Sequence, residues 1–356
     1  MHSRTAPHAQ HREQLRLILA AWGLAPQDAA ETAQILAWAD LHGIDSHGIS
    51  MIPSYDAWRR KGLVVPAARP RIVRETAVSA LVDAGGALGH VPGALAMRKA
   101  VALARAGGIG VAVVRDTAHF GACGYYTLLA VEAGMIGMVA TTAAGVRVPP
   151  TGGAAARLGT DPWSFGAPGE PGRPFLLDMA TTTAAFGRVR NKVNENLPVP
   201  PGWVLDAQGR PSTDPHDVAA RGGFLTSLGG SREGASYKGY GLAMMVDILA
   251  GGLAGMSYPS DAGHAQGPHL GLGHFFLALD PGLFVEAGAF AAGVARFADA
   301  MRATPPVDPA QPVMVPGDPE RAIAARRAAE GIPVGTGLLA QVRAVAEASG
   351  AAWVLG

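Results

Sequence analysis

Short apolar runs alternate with segments of helical spacing between residues 71 and 141, and this alternation constrains the fold more than any other feature of the chain. The runs have the length of strands, and the segments between them place apolar residues three to four positions apart. Such alternation is typical of α/β folds, in which helices cover a sheet. The predicted elements are strands at 72–74 and 78–82, a helix at 91–106, a strand at 110–114, a helix at 123–132 and a strand at 136–141.

Both ends of the chain are predicted to be helical. Three helices are expected near the start, from Glu13 to Trp22, from Pro26 to about Asp40 and from Ile49 to Arg60. The region from about residue 284 to residue 353 is also helical in pattern, apart from a proline-rich stretch at 305–319. We therefore predict a discontinuous helical domain, residues 1–75 and 285–356, around a mixed α/β domain, residues 76–284, that binds cofactor and substrate.

The second half of the α/β domain is harder to assign. Residues 143–172 are rich in loop formers, and a strand follows at 175–178. Residues 197–217 contain many Pro, Gly and Asp residues and are interpreted as a solvent-exposed excursion. An apolar helix is expected from Lys238 through Leu253, and a strand at 273–279.

Composition limits the class of protein. Of 356 residues, 49% are hydrophobic and only 16% are charged, which argues against disorder. The formal net charge is +1 and the Lys and Arg residues are scattered, which argues against a nucleic-acid partner. Cys123 is the single cysteine, so an intrachain disulfide is excluded and the residue is interpreted as a small packing group. With no long apolar run and no apolar core near the start, we expect a cytoplasmic protein without a membrane segment.

Two familiar ligand motifs are missing. No G-x-G-x-x-G follows a strand and opens a helix, and the glycines at 107–110 precede their strand. The chain therefore binds no dinucleotide, or binds one on a different scaffold. No C-x-x-C or H-E-x-x-H is present, and His42 and His47 are five apart across a glycine, which is poor spacing for metal ligands. We predict no metal site.

The sequence Asp45-Ser46-His47-Gly48 interrupts two predicted helices. Imidazole titrates near neutrality, so His47 could give a proton to an alkoxide formed by hydride transfer, or take it back. In the alternative interpretation, Asp45 or Ser46 caps the helix that starts near Ile49 and His47 only lies in its first turn. The local chemistry alone favours the capping interpretation, because such caps are common.

Two further polar residues occupy suggestive positions. His119 lies just past the strand at 110–114, where α/β proteins place ligand-facing loops, although a loop histidine bonded to backbone explains it equally well. Lys238 stands among glycines before a helix, which would let a phosphate or carboxylate approach the helix N-terminus. The alternative is an exposed surface lysine.

Taken in order, seven segments resemble the malate/L-lactate dehydrogenase family, which has a non-Rossmann nicotinamide-binding fold. The family also includes ureidoglycolate and sulfolactate dehydrogenases, a diketogulonate reductase and cyclic-imine reductases. Each motif is weak alone, but seven in sequence are hard to obtain by chance. The segments are Ser46-His47-Gly48 with Pro53 and Tyr55; Ala118-His119-Phe120-Gly121 with Gly124-Tyr125-Tyr126; Leu158-Gly159-Thr160-Asp161-Pro162; Leu177-Asp178-Met179-Ala180-Thr181; Lys238-Gly239-Tyr240-Gly241-Leu242; His274-Phe275-Phe276 with Asp280-Pro281; and Val315-Pro316-Gly317-Asp318-Pro319-Glu320.

The resemblance implies roles for particular residues. His47 would be the proton donor to the substrate oxygen, oriented by Ser46, and His119 would be a second acid/base histidine. Thr160 would contact the substrate. It also implies a small-molecule substrate, NAD or NADP as cofactor, and a homodimer. The residues implied to contact the cofactor are Asp178, Met179, Ala180, Lys238, Gly239, Gly317, Asp318 and Pro319.

The chain departs from the family pattern in three places. Where many members carry an arginine that clamps a carboxylate, shortly after Ser-His-Gly, this chain has Met51, and a thioether cannot replace a bidentate guanidinium. Arg188 stands where the cyclic-imine reductases have an acid, which argues against an imine substrate and offers a positive charge for substrate or cofactor phosphate. Near the cofactor, Thr142-Ala143 replaces the usual Asn-Ser, and Asp161 replaces the usual Asn.

The resulting hypothesis is a nicotinamide-dependent oxidoreductase of small 2-oxo and 2-hydroxy acids. Hydride would move between the nicotinamide C4 and the substrate C2, and His47 would move the proton on oxygen. Two alternatives remain open. One is a non-catalytic small-molecule-binding relative that kept the fold, which the change at Met51 favours slightly, and the other is a reductase of a sugar-derived diketo acid.

Overall fold

The computed structural model describes residues 3–261, 267–286 and 288–356. A 3₁₀ turn at Ile49–Met51 leads into the third helix, and a π-helical segment at Asp247–Gly252 continues the eighth. The helices are α1 (His8–Ala21), α2 (Pro26–Leu41), α3 (Ile52–Arg60), α4 (His90–Gly107), α5 (Cys123–Glu132), α6 (Phe186–Glu195), α7 (His216–Ala220), α8 (Tyr237–Val246), α9 (Ala289–Arg302), α10 (Asp318–Glu330) and α11 (Thr336–Ser349). The strands are β1 (Ser3–Ala6), β2 (Arg71–Glu75), β3 (Ser79–Asp83), β4 (Ile109–Thr117), β5 (Ile136–Thr141), β6 (Trp163–Glu170), β7 (Arg173–Met179), β8 (Val204–Leu205), β9 (Pro211–Ser212), β10 (Phe224–Leu225), β11 (Leu272–Leu279) and β12 (Ile332–Gly335).

A seven-stranded mixed sheet forms the centre of the fold, in the order β2-β3-β4-β11-β5-β6-β7. The neighbours β3 and β4 are parallel, because α4 carries the chain back over the sheet between them, and the other pairs are antiparallel. The mixed α/β class predicted from the sequence is confirmed.

Both faces of this sheet are covered by helices. Side chains alternate across a strand, so Val114 and Phe276 pack on one face with α4 and α5. Their neighbours Val113 and Phe275 pack on the other face with Val246 and the π-helical segment. This two-sided burial explains why the central strands are almost continuously apolar in sequence.

The two ends of the chain meet in a helical layer. β1 pairs antiparallel with β12, and one apolar cluster contains Leu15, Ile52 and Val342, which come from α1, α3 and α11. The predicted limits of the helical domain, 1–75 and 285–356, stay a prediction. Within the first range, β2 is an edge strand of the main sheet.

The structure corrects three sequence interpretations. Residues 197–217 are no simple excursion, because β8 and β9 lie in this region and Val199 and Val204 are buried in a small separate core with Leu225 of β10. Residues 163–170, read as loop, form β6. Here Gly166 serves close packing, since a Cβ would lie 2.7 Å from Thr127 Cγ2 on α5. The C-terminal region, read as helical, contains the short strand β12.

Membrane-spanning segments were also sought among the helices. None of those in the described part of the chain has both the length and the apolar character needed to cross a bilayer.

Candidate active site

The loop that carries His47 is held in place by Asp40, the penultimate residue of α2. Asp40 is only 2% exposed, and its carboxylate accepts a hydrogen bond from the Ile49 backbone N–H at 2.7 Å and contacts His11 Nε2 at 2.7 Å. The capping interpretation is therefore wrong, since the start of the next helix is bound by Asp40 and by neither Asp45 nor Ser46.

Arg327 of α10 holds the same loop from the side. Its guanidinium donates to the Asp40 carbonyl oxygen and to both carboxylate oxygens of Asp45, the latter at 2.5 and 3.1 Å. Asp45 is thus committed to a structural ion pair, which leaves Ser46 and His47 as the polar groups that the loop presents.

His47 is held in the neutral form. Ser46 Oγ and His47 Nδ1 share a hydrogen bond of 2.7 Å. The imidazole is half-buried, and desolvation lowers the pKa of His47 to about 4. Near pH 7 the ring can therefore accept a proton.

His119 lies beside it at the end of β4, with the two ring centroids 5.2 Å apart. The Tyr55 hydroxyl donates to His119 Nδ1 at 2.6 Å, and the Gly121 N–H donates to the same atom at 3.3 Å. A backbone N–H can only donate, so Nδ1 must be the acceptor and Nε2 must carry the ring proton. Burial and the neighbouring imidazoles hold the pKa of His119 well below its usual value, so this ring offers a neutral N–H donor.

Two further histidines lie behind His119 and are buried. His274 contacts Thr141 Oγ1 at 2.7 Å and the Ala118 carbonyl oxygen at 3.2 Å. Neither ring nitrogen of His90 has a partner in the described part of the chain. Burial lowers the pKa of each to about 3, so the interior behind the site is uncharged near neutral pH.

On another side of the site, Asp161 ties two loops together. Its carboxylate accepts from the backbone N–H groups of Gly159 at 2.9 Å and Ala143 at 3.2 Å. Thr160, the predicted substrate residue, lies between Gly159 and Asp161 in the sequence. Its carbonyl oxygen accepts a hydrogen bond from the Thr181 N–H at 3.0 Å, which fixes its backbone. Burial and the nearby Asp247 raise the pKa of Asp161 to about 8.

Replacing Asp161 with asparagine should flatten the pH dependence of stability. The folded chain keeps a proton on this carboxyl between about pH 4 and pH 8 and the unfolded chain does not, so Asp161 makes stability fall as pH rises through that window. We expect the Tm difference between pH 5.5 and pH 8.5 to shrink by on the order of 3 °C. Thermal melts of Asp161→Asn, with the exposed-loop variant Asp308→Asn as control, measure this, and an unchanged Tm difference would contradict it.

The segments predicted to bind the cofactor are contiguous. Leu176 of β7 donates its N–H to the Pro316 carbonyl oxygen at 3.2 Å, which places the Gly317-Asp318-Pro319 turn beside the strand that ends at Asp178-Met179. The Thr181 carbonyl oxygen accepts from the Leu228 N–H at 2.8 Å. Gly239 of α8 packs on this backbone so closely that a Cβ would lie 2.3 Å from Leu228 N.

The polar groups in these segments differ in whether they already have hydrogen-bond or ion-pair partners within the chain. Asp178 accepts from the Gly124 N–H at 2.7 Å, and Lys238 is exposed in the first turn of α8. The Asp318 carboxylate is bound by Arg302, Arg321 and the Val315 N–H, so it is engaged within the chain. Met179 and Ala180 are half-buried.

A cavity of about 210 Å³ opens next to the start of α8. Among the residues that line it, Ser227 has a buried Oγ without a partner in the described structure, and Arg232 adds a cation. Ser236 adds a further hydroxyl immediately before the helix. Hydroxyls, a guanidinium and a helix N-terminus form a donor set that suits phosphate.

His47 and His119 are candidates that the sequence offers, whereas the residues that support them in the structure do not stand out in it. Tyr55 appeared only as a landmark, and Asp40, Arg327 and His90 were not singled out. A buried Asp40 within an apolar helical face was the one local signal available, because a charge is seldom buried without a partner.

Known proteins resemble this chain over almost its whole length. The profile of the malate/L-lactate dehydrogenase family matches residues 6–343. The malate dehydrogenase of Pyrococcus horikoshii is 32% identical over 334 residues, 94% of this chain and 92% of that protein. The L-sulfolactate dehydrogenase of Methanothermobacter thermautotrophicus is 33% identical over 335 residues, 93% of each chain. Among solved structures, malate dehydrogenase from Entamoeba histolytica has a TM-score of 0.93 and 28% identity, with 99% of both chains covered.

Proposed function

The chain belongs to the malate/L-lactate dehydrogenase family, and from this premise we propose that it is an NAD(P)-dependent oxidoreductase of small 2-hydroxy and 2-oxo acids. Malate and L-sulfolactate, named for two relatives, are both 2-hydroxy acids. The observation that carries the proposal is the pair of neutral histidines, His47 and His119, 5.2 Å apart between ring centroids. A nicotinamide cofactor, when bound, would supply or take up the hydride exchanged with the substrate C2.

His47 is the proton acceptor and donor in this proposal. When Nδ1 donates to Ser46 Oγ, the lone pair of Nε2 is free to take the proton of a substrate hydroxyl. The lowered pKa keeps that lone pair available at neutral pH. In the reverse direction the same nitrogen returns the proton to the alkoxide oxygen.

His119 holds the substrate oxygen. The two donors at Nδ1, one of which is the Tyr55 hydroxyl, keep the ring proton on Nε2 and fix the orientation of the ring. The neutral imidazole can therefore donate its Nε2–H to a carbonyl or alkoxide oxygen. Burial raises the pKa of Tyr55 well above its usual value, so the hydroxyl keeps the proton that this arrangement needs. Thr160 and Arg188 complete the predicted substrate contacts.

The cofactor is assigned to the contiguous surface of Asp178, Met179, Ala180, the Gly317-Asp318-Pro319 turn and the start of α8. Lys238 and the N-terminus of α8 would pair with its phosphates. Since the Asp318 carboxylate is engaged by two arginines, contacts from this turn would come from its backbone. The same donor set serves NAD and NADP.

A homodimer in the cytoplasm is part of the proposal. The outer face of α8 and the π-helical segment exposes a row of apolar side chains at helical spacing, with Tyr237 60%, Ile248 52% and Leu253 57% exposed. Exposed apolar side chains in such a row are expected to be buried against a second copy of the chain. Light scattering on the purified protein at micromolar concentration tests it, and a monomer would contradict it.

One assay tests the proposed activity. NADH and NADPH oxidation is followed with pyruvate, oxaloacetate, bulkier 2-oxo acids, a diketo sugar acid and a cyclic imine. We expect turnover of at least one 2-oxo acid and a thermal shift with one of the cofactors. Absence of turnover together with absence of any thermal shift would overturn the enzymatic function.

A further inference from the structure

The groups nearest the reacting atoms carry no positive charge. His47 and His119 are neutral near pH 7, and Met51, one turn beyond His47, packs against the apolar cluster of the helical ends. A 2-oxo acid brings a carboxylate into this half-buried site, and a carboxylate that leaves water needs a cation or several donors. A cation that reaches the site from further out would meet this need.

Arg147 has the properties of such a cation. Its guanidinium carbon lies 4.3 Å from the centroid of the Phe186 ring, and among the described residues this ring is the partner found for its side chain. Stacking on an aromatic face fixes the plane of a guanidinium and leaves the N–H groups at its edge free to bind an anion. The side chain is exposed, so a ligand can reach it.

Two contacts connect the surroundings of Arg147 to the predicted site. Phe186 is followed by Gly187, where a Cβ would lie 3.8 Å from Ser46 Cβ, and Ser46 is bonded to His47. On the other side, the backbone of Arg147 donates to the Leu158 carbonyl oxygen at 2.9 Å, two residues before Thr160. Arg147 is thus connected to the histidine loop through Phe186 and Gly187, and to the predicted substrate loop through its own backbone.

Arg188 is the competing cation, and it is less well prepared. Its exposed side chain extends from α6 and has no hydrogen bond, ion pair or aromatic contact in the described structure. A free arginine loses most of its rotamer entropy when it binds a ligand, whereas a stacked arginine has already lost part of it.

We propose that Arg147 binds the carboxylate of the acid substrate and so sets the specificity for 2-oxo and 2-hydroxy acids over neutral carbonyl compounds. This inference rests on the proposed function. Phe186 acts as a positioning residue that holds the guanidinium plane, and the turn carrying Met51 contributes only apolar contacts.

The test compares Arg147→Ala and Arg147→Lys with the control Arg190→Ala, which removes an exposed arginine of α6 that has no assigned role in binding. With the 2-oxo acid that the wild type turns over best, Arg147→Ala should raise KM about 10- to 100-fold with a smaller change in kcat, as expected for a lost charge-assisted hydrogen bond. Arg147→Lys should recover part of this loss, and Arg190→Ala should stay within about threefold of wild type. Phe186→Leu should raise KM a few-fold.

Calorimetric titration of oxamate, a 2-oxo acid isostere, in the presence of cofactor gives a readout that does not need turnover. Arg147→Ala should lose oxamate affinity by a similar factor while the neutral ethyl ester of oxamate binds wild type and variant alike. A wild type that turns over a 2-oxo acid, together with an Arg147→Ala variant of unchanged KM and oxamate affinity, overturns this inference and leaves the proposed function standing. A wild type without turnover or cofactor binding overturns both.

Discussion

Replacing His47 with alanine should lower kcat/KM by about 10²- to 10⁴-fold, the usual contribution of a positioned acid/base group. The fold should survive, because the loop is held by Asp40 and Arg327 and the imidazole itself bonds only to Ser46 among the described residues. Steady-state kinetics with the best 2-oxo acid measures the fall in kcat/KM. Thermal melting and cofactor titration measure whether the fold and cofactor binding are retained.

The control for His47→Ala is His216→Ala on α7, which removes an imidazole far along the chain from either histidine loop and should leave kcat/KM unchanged. Retained activity in His47→Ala would move proton transfer to His119. Loss of activity together with loss of cofactor binding would show that His47 shapes the cofactor surface instead.

Replacing Gly48 with alanine should destabilise the chain by more than about 3 kcal/mol, because the added methyl group would overlap the Asp40 carboxyl group. A Cβ at Gly48 would lie 2.0 Å from the Asp40 carboxyl carbon. Asp40 cannot move aside without giving up its bonds to the Ile49 N–H and to His11, both at 2.7 Å and buried. Denaturant unfolding measures the loss, and the soluble fraction on expression should fall as well.

Gly337→Ala is the matched control for this change. Gly337 lies in α11 with open space around its Cβ position, so alanine there should be neutral or slightly stabilising, as helix propensity predicts. A Gly48→Ala variant with wild-type stability and activity would show that the loop relaxes freely, and the anchoring by Asp40 would then be wrong.

The parts of the fold that could be predicted are those in which local pattern and tertiary packing agree. α5 (Cys123–Glu132) and β5 (Ile136–Thr141) have the predicted bounds, because each is apolar, free of proline and buried by its neighbours. β6 was missed since Gly166 and Pro168 resemble turn residues, although Gly166 is there for its lack of a side chain. β12 is short, and its pairing with β1 links opposite ends of the chain.

The residues of the candidate site also divide into those that could be predicted from the sequence and those that could not. Ser46, His47 and His119 were predicted from resemblance to a family, and the structure brings the two imidazoles together. Their supports come from distant segments. Arg327 is 287 residues from Asp40 in sequence, and Tyr55 is 64 residues from His119. No local pattern reports such pairings, so the tautomer of His119 and the anchoring of the loop required the folded structure.

In the proposed reaction, hydride would be transferred between nicotinamide C4 and the C2 of a 2-oxo acid while His47 transfers the proton on oxygen. It is tested most directly with a reduced cofactor carrying deuterium at the transferred C4 position, incubated in ordinary water with the best 2-oxo acid. We expect one deuterium on C2 of the 2-hydroxy acid product, seen by mass spectrometry and NMR, with no label lost to solvent. Cofactor oxidation without deuterium at C2, or no 2-hydroxy acid at all, would contradict it.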